Sequence, residues 1–500
     1  MNSGMNKVLF FLLFAIFVST NGLFAQDKPK IIITGERMTG KETDEQKIRG
    51  FAGDVVITHL NVRITCDSAV HFMERNEAEL IGNVVITQDT LTIKTERGFY
   101  YGNTRRAYAS TPVELDDKKV FLKAETGEYL FNDTKARFLR NVRLYDSSGT
   151  MTATELIYFR NTQTAYASGG VKLWDKTSSL DADSLVHNRV TLVTRAYRNV
   201  VVVDSNSIVL ADSLIYDQTN RTTDAWSNVQ IKNFEENTLV LGEHVQDFRA
   251  EKHTIVEGSP FVMQIDTAGN TVDTLLLRAV KLESFTAKDS VKMIAYDSVV
   301  IIKGDFASKN SYTEYTQSPE AIFTSKQEGD KIPPVLWFEK SQLSGDTVNL
   351  FIKEKKAEKV IIKKNSLIIS KNGEFRFDQV SGKDVIMTFE EGKLKQTNIY
   401  ENVLSFYYVY EEGVPNGLIR SSSNSAIITF DSNKVEDVRL YGDPVSEYYP
   451  ENLVKGSEKK FFLPTYVDYG KAPVKEEYFS EFLNKIREVE HPFYAGKTKQ

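Results

Sequence analysis

The residues of this chain best able to do chemistry are six histidines, one cysteine and a series of Asp-Ser pairs. Their spacing assigns them no reaction. His59, His71, His187, His244, His253 and His491 fall in no H-E-x-x-H, no paired-cysteine zinc spacing and no G-x-S-x-G elbow, and no glycine loop is built to hold phosphate. The Asp-Ser pairs beginning at Asp67, Asp146, Asp183, Asp204, Asp212, Asp289, Asp297 and Asp431 are expected mostly at strand ends, where such side chains cap turns. His244 and His253, with Glu243 and Glu251 nearby, have no metal-ligand geometry in their spacing and read as strand and loop residues. The lysines at 353, 355, 356, 359, 363 and 364 alternate with Glu354 and Glu358, which suits a solvated hairpin tip better than an anion site. Cys66 lies within a strand pattern and reads as buried; a lone cysteine there makes neither a disulfide framework nor a lipoprotein anchor. No catalytic residue, metal or cofactor is therefore expected.

What must position these residues is a repeat. Val55, Val84, Val113, Val142, Val171, Val200 and Val229 follow one another at a constant 29 residues. A period without insertions implies one supersecondary unit, each copy burying its apolar face against the next. Around each valine the pattern has period two, with a polar residue between apolar ones (Glu114, Arg143, Lys172, Gln230), as in a half-buried strand. A second strand follows, ending in a small residue and an acid, as in Ala124-Glu125 and Ala182-Asp183. A third element carries an aromatic (Tyr100, Tyr129, Tyr158, Tyr216), and a fourth has the form Ala165-Tyr166-Ala167-Ser168. Each copy thus reads as four short strands.

The register breaks after Val229, and the array is expected to end near residue 265, with Asp266 to Thr274 as a loop or linker. A second β domain is expected over 275–450, where segments 346–365, 383–402 and 424–443 each read as a hairpin. In the tail, 451–500, Tyr478, Phe482 and Ile486 share one helical face suited to docking on a sheet and covering an edge. At the other end, Lys7, the apolar run from Val8 to Val18 and Leu23-Phe24-Ala25 read as a signal peptide over 1–25, cleaved after Ala25. The charge of 62 basic against 68 acidic residues is −6, or −7 without Lys7, and nothing favours a nucleic-acid partner.

Seven copies adding strands about 4.8 Å apart would make an apolar trough on the order of 30 Å long, enough for acyl chains. The anchor Gly82-Asn83-Val84-Val85-Ile86, with Leu180-Asp181-Ala182-Asp183-Ser184 and Val209-Leu210-Ala211-Asp212-Ser213-Leu214-Ile215-Tyr216, resembles the OstA-like family. That family includes the LptA-type periplasmic lipopolysaccharide-transport proteins and the N-terminal domain of the outer-membrane lipopolysaccharide assembly protein. The resemblance covers roughly 30–260, and 280–450 more loosely. It implies an all-β, repeat-built open jelly-roll, here two β domains in tandem, over 30–265 and 275–450. It also implies a non-catalytic periplasmic carrier that shields lipid A acyl chains between the membranes, with other jelly-roll components or a second copy joined at its edge strands. Carried over by position, the groove residues are Val84, Ile86, Val113, Leu115, Val142, Leu144, Val171, Leu173, Val200 and Val202. The chain is longer than a minimal LptA-type bridge and lacks the long barrel of the outer-membrane member, so a station peripheral to the outer membrane stays open. Two other readings compete: an envelope scaffold with a closed β-solenoid core and no lipid, and a carbohydrate-active β-helix enzyme, which would need acids clustered on adjacent copies.

Overall fold

The computed structural model describes residues 29–42, 47–147, 149–268, 271–287, 290–431, 434–483 and 485–487. The expected leader and His491 lie outside them. Among the described residues the chain is all β apart from short helical pieces in the tail, and each strand pairs antiparallel with its neighbours. No helix among them is long and apolar enough to cross a membrane. The chain forms two compact units, residues 1–111 and 112–500.

The four short strands expected per copy are in fact two long ones. Ala165-Tyr166-Ala167-Ser168 and Val171-Lys172-Leu173 belong to one strand, Thr164–Trp174, and the small-acid and following elements belong to the next, Ser179–Asn188. The join is a corner. Just before the anchor valines two consecutive residues take left-handed φ: Gly53 and Asp54 (83° and 43°), Gly82 and Asn83 (78° and 47°), Arg140 and Asn141 (62° and 48°), Gly169 and Gly170 (80° and 75°), Arg198 and Asn199 (59° and 50°), Ser227 and Asn228 (61° and 52°). There the register slips, as between Ser168 and Val171, and pairing resumes at the valine. Such a bulge bends the strand while the ladder continues on both sides. The asparagine then donates to an acid on the neighbouring strand: Asn83 to Asp67 (3.0 Å), Asn199 to Asp183 (3.1 Å) and Asn228 to Asp212 (2.8 Å). Three of the Asp-Ser pairs thus brace corners and do not cap turns.

One copy breaks the rule. Its corner position is Thr111-Pro112, where the proline ring holds φ negative. Here the strand is divided into Arg106–Ala109 and Val113–Asp116, and the boundary between the compact units falls at the same place.

At Gly169 a side chain would be strained twice. The φ of 80° disfavours it, and its Cβ would lie 2.6 Å from that of Thr154. Gly169→Val should therefore cost about 2–3 kcal/mol in urea denaturation. Gly170 has open space around it, and Asn already occupies the equivalent place in other corners. Gly170→Asn should stay within about 0.5 kcal/mol; equal losses at both sites would remove the distinction.

The corner outlasts the 29-residue period, recurring at Gly258-Ser259, Asp297-Ser298, Lys364-Asn365, Glu401-Asn402 and Gly442-Asp443. The last three close the segments 346–365, 383–402 and 424–443, whose hairpins form as expected, with Lys353 paired to Lys356, Glu390 to Lys393 and Asp431 to Lys434. Near residue 265, where a boundary was expected, pairing does not stop. Phe261–Ala268 pairs with Thr271–Arg278, so the turn-rich stretch expected as a loop or linker lies within a hairpin. In the tail, helix Lys475–Leu483 docks through Phe482, stacked on Phe261 with ring centroids 3.9 Å apart, and Tyr478 and Ile486 pack beside it. It covers a sheet face, not an edge.

Candidate functional site

The corners fold the ladder of residues 112–500 back on itself, so that the two halves of each long strand face one another. Next to the corners the halves are in close contact: Val142, Val171 and Val200 are each 1% exposed. Towards the hairpin turns they part. A cavity of about 800 Å³ opens there, lined by residues between Leu144 and Thr254. Its floor is apolar, with Leu144, Met151 and Leu173 from one half meeting Leu214, Ala225 and Val245 from the other. Its size falls in the range of roughly 300–1,000 Å³ typical of ligand pockets.

Of the ten groove residues carried over by resemblance, Leu144, Leu173 and Val202 line the cavity. Val142, Val171 and Val200 lie behind them at the corner, and Val113 and Leu115 are buried in the stretch before it. Val84 and Ile86 are buried in the other unit, residues 1–111.

The two lips are polar, and they carry a second series that the sequence reading named only in part, at Asp146 and Asp204. Asp117, Asp146, Asp175 and Asp204 each stand four residues after an anchor valine, so they too recur every 29 residues. Each caps its own turn. Asp175 Oδ1 accepts the amides of Thr177 (2.7 Å) and Ser178 (2.8 Å), and Asp204 Oδ1 accepts those of Asn206 (2.9 Å) and Ser207 (2.7 Å). Burial works against the Asp175 charge, but these amides together hold its carboxyl below the usual range. In Asp117, Asp146 and Asp204 the other carboxylate oxygen faces across the mouth. The Tyr158 hydroxyl donates to Asp117 Oδ2 (3.2 Å), Arg189 Nε contacts Asp146 Oδ2 at 2.8 Å, and Arg249 lies 3.8 Å from Asp204 Oδ2. The mouth is thus latched at its Asp117 and Asp146 end and slack near Asp204.

Beside the latch, His187 Nδ1 meets Thr194 Oγ1 at 2.9 Å. Burial pushes the imidazole below its ordinary pKa; Asp146 opposes this and Arg189 reinforces it. A group whose pKa is lower folded than unfolded binds more protons in the unfolded chain as pH falls, so its contribution to stability is lost on acidification below about 6.5. His187→Gln should keep the Thr194 contact and flatten the loss of urea stability between pH 7.5 and 5. An unchanged slope would show that His187 takes no part.

The other candidates are scattered. His244 stacks on Trp226 and lies 3.2 Å from Asp224, while His253 stacks on Phe285 and lies 3.2 Å from Glu283; the two do not converge. Cys66 is buried in its strand, and burial pushes its thiol up to about 11. Among the described residues no cluster of His, Cys, Asp and Glu is arranged to hold a metal.

Residues 28–183 match the family described as OstA-like protein. Among solved structures the chain is similar to LptH, "the LptA homologous periplasmic component of the conserved lipopolysaccharide transport device from Pseudomonas aeruginosa". The identity is 15%, the match covers 28% of this chain and 83% of that one, and the TM-score is 0.16. No curated protein matches.

Proposed function

We propose, from the match of residues 28–183 to the OstA-like family, that the chain is a non-catalytic, exported carrier that shields the acyl chains of lipopolysaccharide in transit between the inner and outer membranes. One observation carries this reading: a cavity with an apolar floor and polar lips lies within the repeat region. Acyl chains on such a floor gain about 0.8 kcal/mol per buried methylene, while a sugar headgroup at the lips stays wet. The family match motivates lipopolysaccharide as the amphiphile and the periplasm as the address. Arg37–Glu42 and Val445–Pro450, both largely exposed, are the strands through which other jelly-roll components or a second copy would join.

A photocrosslinking residue at Leu173 or Val202 should capture lipopolysaccharide in living cells, and one at Lys172, on the opposite face of the same strand, should not. Equal capture at all three positions, or none at any, would sink the carrier. The scaffold reading draws on the buried Val113 and Leu115, where the core is sealed. It requires depletion to disturb envelope complexes without misplacing lipid.

A further inference from the structure

Residues 451–483 and 485–487 run along the outer face of the sheet, away from the cavity. Ile231 lines the cavity and pairs with Val240, so the alternating Leu239 and Leu241 point outward. Leu241 pairs with both Gln230 and Phe261, and these share that outer face. Phe482 packs there, while Leu463 and Val454 pack on a second outer cluster with Tyr408 and Leu418.

Between these anchors the sheet offers three buried glutamines, Gln230, Gln342 and Gln379, exposed by only 5%, 5% and 2%. Each uses both ends of its amide on the backbone of the tail. Gln379 Nε2 donates to the Phe461 carbonyl (2.9 Å) and its Oε1 accepts the Leu463 amide (2.9 Å). Gln342 does the same with Val467 (2.8 Å) and Tyr469 (2.8 Å), and Gln230 with the carbonyl and amide of Arg487 (2.9 Å each). The indole of Trp337 adds a bond to the Gly470 carbonyl at 3.2 Å. A buried primary amide is costly unless both its donor and acceptor ends are paired. These three are paired as an adjoining strand would pair them, and they touch atoms that every residue but proline carries.

We propose that the outer face of residues 112–500 is a peptide-binding track, a second site independent of the lipid groove, with segment 458–487 of this chain as its resident ligand. Its ligand class is a peptide whose non-helical stretch is held through the backbone by the glutamine forks and whose short helix, Lys475–Leu483, sets Phe482 on the sheet. A partner presenting such a segment would displace the tail.

The test uses the full chain with a protease recognition sequence inserted between Gly456 and Ser457, cleaved under native conditions. A labelled synthetic peptide of residues 458–487 is then added. The nicked protein should exchange its tail for the peptide, one per chain by fluorescence anisotropy, with its β-ladder amides still protected from hydrogen exchange. Gln342→Ala combined with Gln379→Ala should weaken peptide binding at least tenfold and expose the Leu463 and Tyr469 amides, again with the ladder protected. The track is overturned if the nicked tail does not exchange, if nicking unfolds the sheet, or if the double variant binds the peptide as well as the parent. None of these outcomes bears on lipid capture at Leu173.

Discussion

Arg189→Met should lower stability by about 3–5 kcal/mol, the largest loss expected from any one lip residue. Arg189 and Asp146 are 15% and 4% exposed, so their 2.8 Å contact is little screened by solvent. Asp146 Oδ1 already accepts the Gly149 amide at 3.0 Å, and that bond holds the carboxylate in place when the guanidinium is gone. A buried charge would then face the apolar cavity without its cation. Asp146→Asn in the same chain should restore most of the loss, because the amide still caps the turn and no charge is left behind. Arg249→Ala is the contrast, since that side chain is 66% exposed and sits 3.8 Å from Asp204; it should cost less than about 1 kcal/mol. Urea denaturation of the parent, Arg189→Met, Asp146→Asn and the double variant closes a double-mutant cycle. If Arg189→Met and Arg249→Ala cost the same, the lips are not latched at Asp146.

The lip acids show how far the sequence could be read. Their role as turn caps was legible at Asp146 and Asp204, because an acid two or three residues before the amides that donate to it is a local signal. Their second role was not. Asp146 meets Arg189 and Asp117 meets Tyr158 only after the ladder has folded back, and no local pattern records that offset. The corners were hidden for another reason. Gly169-Gly170 and Arg198-Asn199 have the chemistry of turns, and only cross-strand pairing shows that the ladder continues through them. Four short strands were therefore inferred where two bent ones exist. The valine ladder was legible because burial alternates with period two on either side of a corner. How deeply each residue lies was not: the halves diverge from the corner outward, so Val171 is packed and Leu173, two residues on, meets the cavity. The glutamine forks had no signal at all, since the tail crosses the strands at irregular intervals and Gln230 looks like any outward polar residue.

That divergence sets the second large effect. Leu173→Asp combined with Val202→Asp should weaken binding of a fluorescent fatty-acyl probe about a hundredfold while leaving the fold nearly intact. Both residues line the cavity and both are half-buried, so the new carboxylates can stay hydrated in the empty groove and cost folding little. A bound alkyl chain must either strip that water or avoid this part of the floor. Avoiding it forfeits about three or four methylene contacts at about 0.8 kcal/mol each, close to 3 kcal/mol in all, which is about a hundredfold in affinity. Leu115→Asp tests the same chemistry where the core is sealed: 1% exposed, it should lose several kcal/mol of stability without informing on binding. Lys172→Ala, on the outer face of the Leu173 strand, removes only an exposed ion pair with Asp181 (2.9 Å) and should leave binding unchanged at a cost of less than about 1 kcal/mol. If the Leu173 and Val202 double variant binds the probe like the parent, the parted sheets are not where acyl chains lie.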